Sequence, residues 1–186
     1  MGLLNLIRGG KHERTGFELY GKAVAAARDP YLYTDLGVPD TLDGRFDMVG
    51  LHTFLLIQRL KGEPAPGPAL AQAVFDAMFS DMDINLREMG VGDLSVGRKV
   101  RVMWEAFHGR AAAYSAAMSA NGPPADKVAL EAALIRNVWR GEPEHEAHAG
   151  ALARLMLAQE AHLAAWDMAP LRRGEVTFLP AREASR

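Results

Sequence analysis

Wound as a helix, residues 44–61 spread Phe46, Val49, Leu51, Phe54, Leu55, Leu56, Ile57 and Leu60 over almost the whole circumference. A helix that is apolar on every side needs protein on every side. This segment is therefore expected at the centre of an all-α domain, with other helices packed around it. The remaining chain supplies them: alanine runs and apolar residues spaced by three and four recur, while alternating β-branched stretches are scarce. A length of 186 residues, 49% apolar and 24% charged, suffices for one well-buried core.

Reading outward from the centre, a first helix is expected over residues 17–28. A long ordered loop follows over 29–44, pinned to the core by Tyr31, Tyr33 and Leu36. The proline-rich run 62–68 is read as a loop inside one domain, because proline lacks the amide donor that a helix needs. A third helix over 68–89 carries Leu70, Val74, Ala77, Met78, Met82 and Met89, and Gly90 terminates it. Asp93 or Ser95 caps the fourth, in which Val100, Met103, Trp104, Phe107, Ala111, Tyr114 and Met118 repeat at helical spacing. Asn121, Gly122, Pro123 and Pro124 break the chain before a fifth helix built on Val128, Leu130, Leu134, Ile135 and Val138. Pro143 opens a sixth, with His148, Leu152, Leu155, Gln159, His162 and Trp166 along one face, stopped by Pro170. The expectation is a single compact domain of about six or more helices over 15–169, after an N-terminal segment 1–14 and before a short extended tail 170–186 in which 175–179 resembles a strand.

Several function classes are excluded or disfavoured. Cysteine is absent, which removes disulfides, thiolate metal sites and cysteine nucleophiles together. With 21 basic and 23 acidic residues the net charge is -2, so the chain as a whole has no electrostatic pull toward DNA. No run approaches the roughly 18 apolar residues of a membrane-spanning helix. The apolar N-terminal residues lack a preceding positive segment and a small-residue cleavage site, so the sequence reads as mature. Nucleophile elbow, Walker loop, Rossmann glycines and the HExxH helix are all missing, and a non-enzyme is expected.

Two clusters carry chemistry worth testing. Glu105 with His108 and Glu142 with His145 repeat the Glu-x-x-His spacing of di-iron bundles, for which Glu88 with Glu131 or Glu160 would supply partners. Pro143 argues against it, because it leaves Glu142 at or before the helix start, where capping explains the acids without a metal. No metal and no cofactor is therefore assigned. His52, His148 and His162 are ambiguous between core and ligand positions. The second cluster is a stripe of Asp76, Ser80, Asp83 and Arg87 beside Asp81 and Glu88, followed after the turn by Arg98, Lys99 and Arg101. It is either a solvated, salt-bridged face or a partner surface of two signs.

The segments Asp40-Thr41-Leu42-Asp43-Gly44-Arg45-Phe46-Asp47 with Leu51-His52, then Phe75-Asp76-Ala77-Met78-Phe79-Ser80-Asp81-Met82-Asp83 through Leu86-Arg87-Glu88-Met89-Gly90-Val91-Gly92-Asp93, then Phe107-His108-Gly109-Arg110, occur in this order. Together they resemble the signatures of the ubiquinol-cytochrome c chaperone family, with His108 where tyrosine is commoner. The resemblance covers residues 30–118 well and the remainder loosely.

The resemblance implies a helical, non-catalytic assembly factor of the cytochrome bc1 complex, of a bacterial type. The implied client is newly made cytochrome b, with the ribosome or a small partner protein as further partners and no DNA. The implied location is the cytoplasm, with peripheral contact at the inner membrane, or the mitochondrial matrix in a eukaryote. On this reading His52, Asp76, Asp81, Asp83, Arg87, Glu88 and Asp93 form the partner-facing surface. Arg98, Lys99 and Arg101 contact ribosomal RNA or anionic lipid. Met78, Met82, Met89, Met103 and Met118 are adaptable enough to line an apolar client groove, or fill the core. Two alternatives stand beside it: a helical di-iron enzyme, and a peripheral membrane adaptor anchored by Leu3, Leu4, Leu6 and Ile7.

Overall fold

The computed structural model describes residues 3–118 and 125–186, with side chains from residue 12 onward. The described residues form helices α1 (Leu3–Ala27), α2 (Pro30–Thr34), α3 (Leu42–Lys61), α4 (Gly67–Glu88), α5 (Asp93–Met118), α6 (Lys127–Val138), α7 (Glu146–Ala164), α8 (Met168–Leu171) and α9 (Ala181–Ala184). A 3-10 turn, Pro143–His145, leads into α7. The fold is all-α, and no strand occurs among the described residues.

Helix α3 occupies the centre, in contact with α1, α4, α5, α6 and α7. Its apolar residues meet a neighbour in every direction, and Met48, Leu51, Leu55, Leu56 and Leu60 are almost wholly buried. The Thr41 hydroxyl starts the helix by accepting from the Gly44 amide at 3.2 Å. Helix α1 crosses α4 so closely that a Cβ on Gly16 would sit 2.6 Å from the Ala73 backbone. From this three-helix group of α1, α3 and α4 the chain continues through α5, α6 and α7 around the other side of α3.

Local chemistry corrects several expected boundaries. The loop expected over 29–44 contains α2, because Asp29 caps it by accepting from the Tyr31 amide at 3.0 Å and Pro30 suits its first turn. Leu36 is buried as expected, while Tyr31 and Tyr33 are half-buried with their hydroxyls engaged. Helix α1 begins at Leu3, well before residue 17. Helix α7 ends at Ala164 and not at Pro170, since Arg59 of α3 donates to the Leu163 and Trp166 carbonyls at 2.9 and 2.6 Å. The break assigned to Asn121 through Pro124 lies outside the described residues. The tail is extended over 175–180 without strand pairing, and α9 follows it. Gln159 holds the tail with both amide groups, donating to the Leu179 carbonyl at 2.7 Å and accepting from its amide at 2.9 Å.

Candidate functional site: an aromatic groove between α4 and α5

Helices α4 and α5 touch through Phe79 and Phe107, whose ring centroids lie 6.1 Å apart, and leave a groove floored by α3. It encloses about 640 Å³. Phe54 and Ile57 form part of the floor, Ala71 and Phe75 one wall, and Trp104, His108, Ala111, Ala112 and Ser115 the other. Phe75 stacks in a tilted arrangement on Phe79 at 4.8 Å and meets His108 at 5.5 Å, while His108 lies 4.1 Å from Trp104. These contacts fix the aromatic walls before anything binds. Trp104 remains 45% exposed, a large apolar face presented to solvent. Gln58, Gln72, Lys61, His108 and Ser115 contribute the polar lining, and no acidic side chain among the described residues lines the groove.

Beyond the groove, the far half of α4 and the near half of α5 leave the main core. Leu86 and Val96 are buried there but lie outside the central cluster, while Ile84, Met89, Leu94 and Val102 are exposed. Leu94 has no protein cover at all. The expected methionine lining divides accordingly. Met78 and Met118 are core, Met82 and Met103 pack against it, and only Met89 of the five is exposed.

The structure distributes the expected site residues unevenly. His52 is a correction: it is 1% exposed, its Nδ1 lies 2.8 Å from the Met48 carbonyl, and its ring meets Phe178 at 5.4 Å. A residue in that position cannot belong to a partner-facing surface, and burial in an apolar helix pushes its pKa down to about 4. Asp81 turns toward α1 and accepts from the Tyr20 hydroxyl at 2.7 Å. Asp83 holds Arg87 at 2.6 Å, and the same guanidinium also pairs with Asp93 at the start of α5. Asp76 accepts from Gln72 at 2.7 Å, and Glu88 is exposed. Much of the acidic stripe is thus internally paired, and Arg87 bridges α4 to α5. Arg98 and Lys99 are exposed, whereas Arg101 pairs with Glu105 at 3.0 Å.

The di-iron geometry does not assemble. Glu105 and Glu142 are both surface residues and face no common interior. Glu144 and Glu146 stand in the first turns leading into α7, where acids meet the positive end of the helix dipole as expected, although neither Glu142 nor His145 makes a side-chain cap hydrogen bond. Leu3, Leu4, Leu6 and Ile7, the proposed membrane anchors, have side chains outside those described. No helix among the described residues is long and apolar enough to cross a membrane.

Behind the groove the signature segments meet in a buried charge cluster. Asp47 of α3, with a side chain 2% exposed, lies 2.7 Å from the Arg110 guanidinium of α5 and 3.0 Å from that of Arg140 at the end of α6. The distances are those of ion pairs, but neither carboxylate oxygen has an aligned hydrogen bond. Loss of hydration accordingly outweighs the two cations, and burial pushes the Asp47 carboxyl up to about 6. Arg110 also lies over the Phe46 ring at 5.7 Å. A slit of about 10 Å³ separates this cluster from the groove, room for one water. The first and third signatures therefore meet at a buried junction.

Sequence reasoning grouped Trp104 with the other residues at helical spacing on α5 and did not separate a groove wall from the core. The available signal was a second stripe on α5, in which Trp104, His108, Ala111 and Ser115 mix aromatic, polar and small residues. The purely apolar stripe of Val100, Met103, Phe107 and Tyr114 lies beside it.

Known proteins resemble this chain in sequence and in fold. The family model described as ubiquinol-cytochrome C chaperone matches residues 34–178. The crystal structure of the Cbp3 homolog from Brucella abortus is 34% identical in sequence and superposes with a TM-score of 0.81, covering 98% of this chain and 99% of that one. The ubiquinol-cytochrome-c reductase complex assembly factor 1 of Xenopus laevis is 28% identical over 101 residues, 54% of this chain and 48% of the relative. The match thus spans about half the length of that curated relative. By the family match, which takes in the centre of the bundle and all three signatures, the chain belongs to the ubiquinol-cytochrome c chaperone family.

Proposed function

We propose that the protein is a non-catalytic assembly chaperone that holds newly made cytochrome b during biogenesis of the bc1 complex, and that the groove between α4 and α5 takes an apolar helix of that client. The observation that carries this is the acid-free aromatic groove with Trp104 at its open edge. From Trp104 to Ser115 the wall runs about 16 Å at roughly 1.5 Å per residue, three turns of a docked helix. A volume of about 640 Å³ accommodates anchoring side chains and not a whole helix, which is the mode of helix-in-groove recognition. The fixed aromatic walls lower the ordering cost of binding.

The exposed members of the charged surface that form no ion pair among the described residues, Asp76, Glu88, Arg98 and Lys99, are assigned to the rim that orients a partner, with His52 removed from that set. Such rim charges set orientation and encounter rate more than affinity. A client that is itself a membrane protein makes the aqueous face of the inner membrane the proposed site of action. The ribosome and a small partner protein remain candidate further partners.

The test is recovery of cytochrome b with the affinity-tagged protein from detergent-solubilised native membranes. Wild type is expected to enrich cytochrome b. Trp104→Ala is expected to weaken capture by roughly 30-fold or more, the effect of losing a hot-spot aromatic worth about 2 kcal/mol. Ala112→Arg, at an exposed position on the groove wall, is expected to block capture while leaving helicity unchanged. Equal recovery by wild type and Ala112→Arg would overturn the groove assignment, and the absence of cytochrome b from the wild-type sample would overturn the client.

A further inference from the structure

Outside the groove lining, the turn between α6 and α7 gathers Glu142, Glu144 and His145. One ligand atom from each lies within 4.8 Å of the others, and His145 Nε2 is 3.5 Å from a Glu142 carboxylate oxygen. We propose that this turn is a binding site for a divalent transition-metal ion, with Glu142, Glu144 and the Nε2 of His145 as ligands and His148 as the residue that positions His145.

The way His145 is held distinguishes the cluster from an ordinary acidic surface. Its ring is stacked on Trp139, with centroids 5.5 Å apart and planes 15° from parallel. Trp139 is buried and donates its indole N–H to the Gly37 carbonyl at 2.9 Å, so the platform is fixed. On its other edge, His145 Nδ1 lies 3.0 Å from His148 Nδ1. Two ring nitrogens at that separation share one hydrogen. When His145 carries it, Nδ1–H donates to His148 and Nε2 presents its lone pair toward Glu142. Histidines that bind metals are oriented in this manner, by a hydrogen bond from the second ring nitrogen.

Glu144 and Glu146 stand in the first turns leading into α7, where the helix dipole favours acids, and Glu142 before them makes no side-chain cap hydrogen bond. Metal–ligand bonds of about 2.0–2.2 Å require ligand atoms somewhat closer together than they stand, which rotation of two exposed glutamates provides. One imidazole with two carboxylates suits zinc and its first-row neighbours, because calcium and magnesium favour all-oxygen sites. The local negative charge of Glu142, Glu144 and Glu146 opposes the positive end of the α7 dipole, which alone would repel a cation. All three ligands lie within four residues, so the ion would clip the turn that joins α6 to α7.

The test is calorimetric titration of the full chain with Zn²⁺ in a non-chelating buffer, with long-range ¹⁵N–¹H NMR of the histidine rings on the loaded protein. The expected result is one saturable site per chain, a coordinated Nε2 and a protonated Nδ1 on His145. The double variant Glu142→Gln/Glu144→Gln should lose the site with circular dichroism unchanged. His148→Phe should weaken it by roughly 10- to 100-fold, the effect of removing the partner that orients a metal-ligating histidine. Stoichiometry and affinity unchanged in the double variant would show adventitious zinc on other histidines and overturn the proposal, as would the absence of saturable binding or a zinc-loaded His145 coordinated through Nδ1.

Discussion

Replacing Asp47 by Asn tests whether the buried charge cluster at the signature junction is a net cost to the fold. The side chain is 2% exposed, and burial raises its carboxyl from an ordinary 3.8 to about 6 despite Arg110 and Arg140 at 2.7 and 3.0 Å. Between these values the folded state holds a proton that the unfolded state has released, so this group's contribution to stability falls as pH rises. At about 1.4 kcal/mol per pH unit, the difference is roughly 3 kcal/mol. The Asp47→Asn variant lacks this titration. Relative to wild type it should therefore gain roughly 3 kcal/mol in going from pH 4 to pH 7, or roughly 6–12 °C in melting temperature for a chain of this size. Urea and thermal melts of both proteins across that range measure the difference, and carboxylates common to both cancel. A difference independent of pH would refute the reasoning. A difference of opposite sign would show that the two guanidiniums outweigh desolvation and hold Asp47 below its ordinary value.

Three further outcomes are expected. His52 behaves in the opposite sense: its pKa is depressed from 6.5 to about 4, so stability present above pH 6.5 is lost as pH falls toward 4, by roughly 3 kcal/mol, and melts of His52→Asn should lack that share of acid sensitivity. Gly16→Ala should destabilise the α1–α4 crossing by about 1–3 kcal/mol in a urea melt, because its Cβ meets the Ala73 backbone, whereas Gly21→Ala on the same helix has nothing within 4 Å and should be neutral or slightly stabilising. Replacing Asp76, Asp83 and Glu88 together by Ala should leave the melting temperature within a few degrees of wild type, since exposed pairs such as Asp83 with Arg87 contribute little, while it weakens recovery of cytochrome b.

The centre of this fold is legible in the sequence because α3 is apolar around its circumference, and only an enclosing bundle satisfies that pattern. The same physics spoke against His52 as a surface residue, since a polar residue inside an all-round apolar helix is buried and bonded to the helix backbone. Its place within a family signature gave no information about exposure. Helix ends were less legible where distant residues decide them. Arg59 reaches across 104 positions to the Leu163 carbonyl at the end of α7, and no local pattern announces that contact. Asp29 and Pro30 were visible as punctuation but open a short helix within the expected loop. The groove was hidden for a different reason: Trp104 has helical spacing to Phe107 and Ala111, and only the packing of α4 against α5 through Phe79 and Phe107 separates core from open wall.

The central claim, that the groove holds cytochrome b, is tested most directly by placing a photoactivatable benzoylphenylalanine at Trp104 in the protein expressed in cells that are building the bc1 complex. Val128 on α6, which is 76% exposed and outside the groove lining, provides the control position. Illumination should yield a cytochrome b adduct from position 104 and none from position 128. No adduct from either position, or equal yields from both, would contradict the groove as the client site.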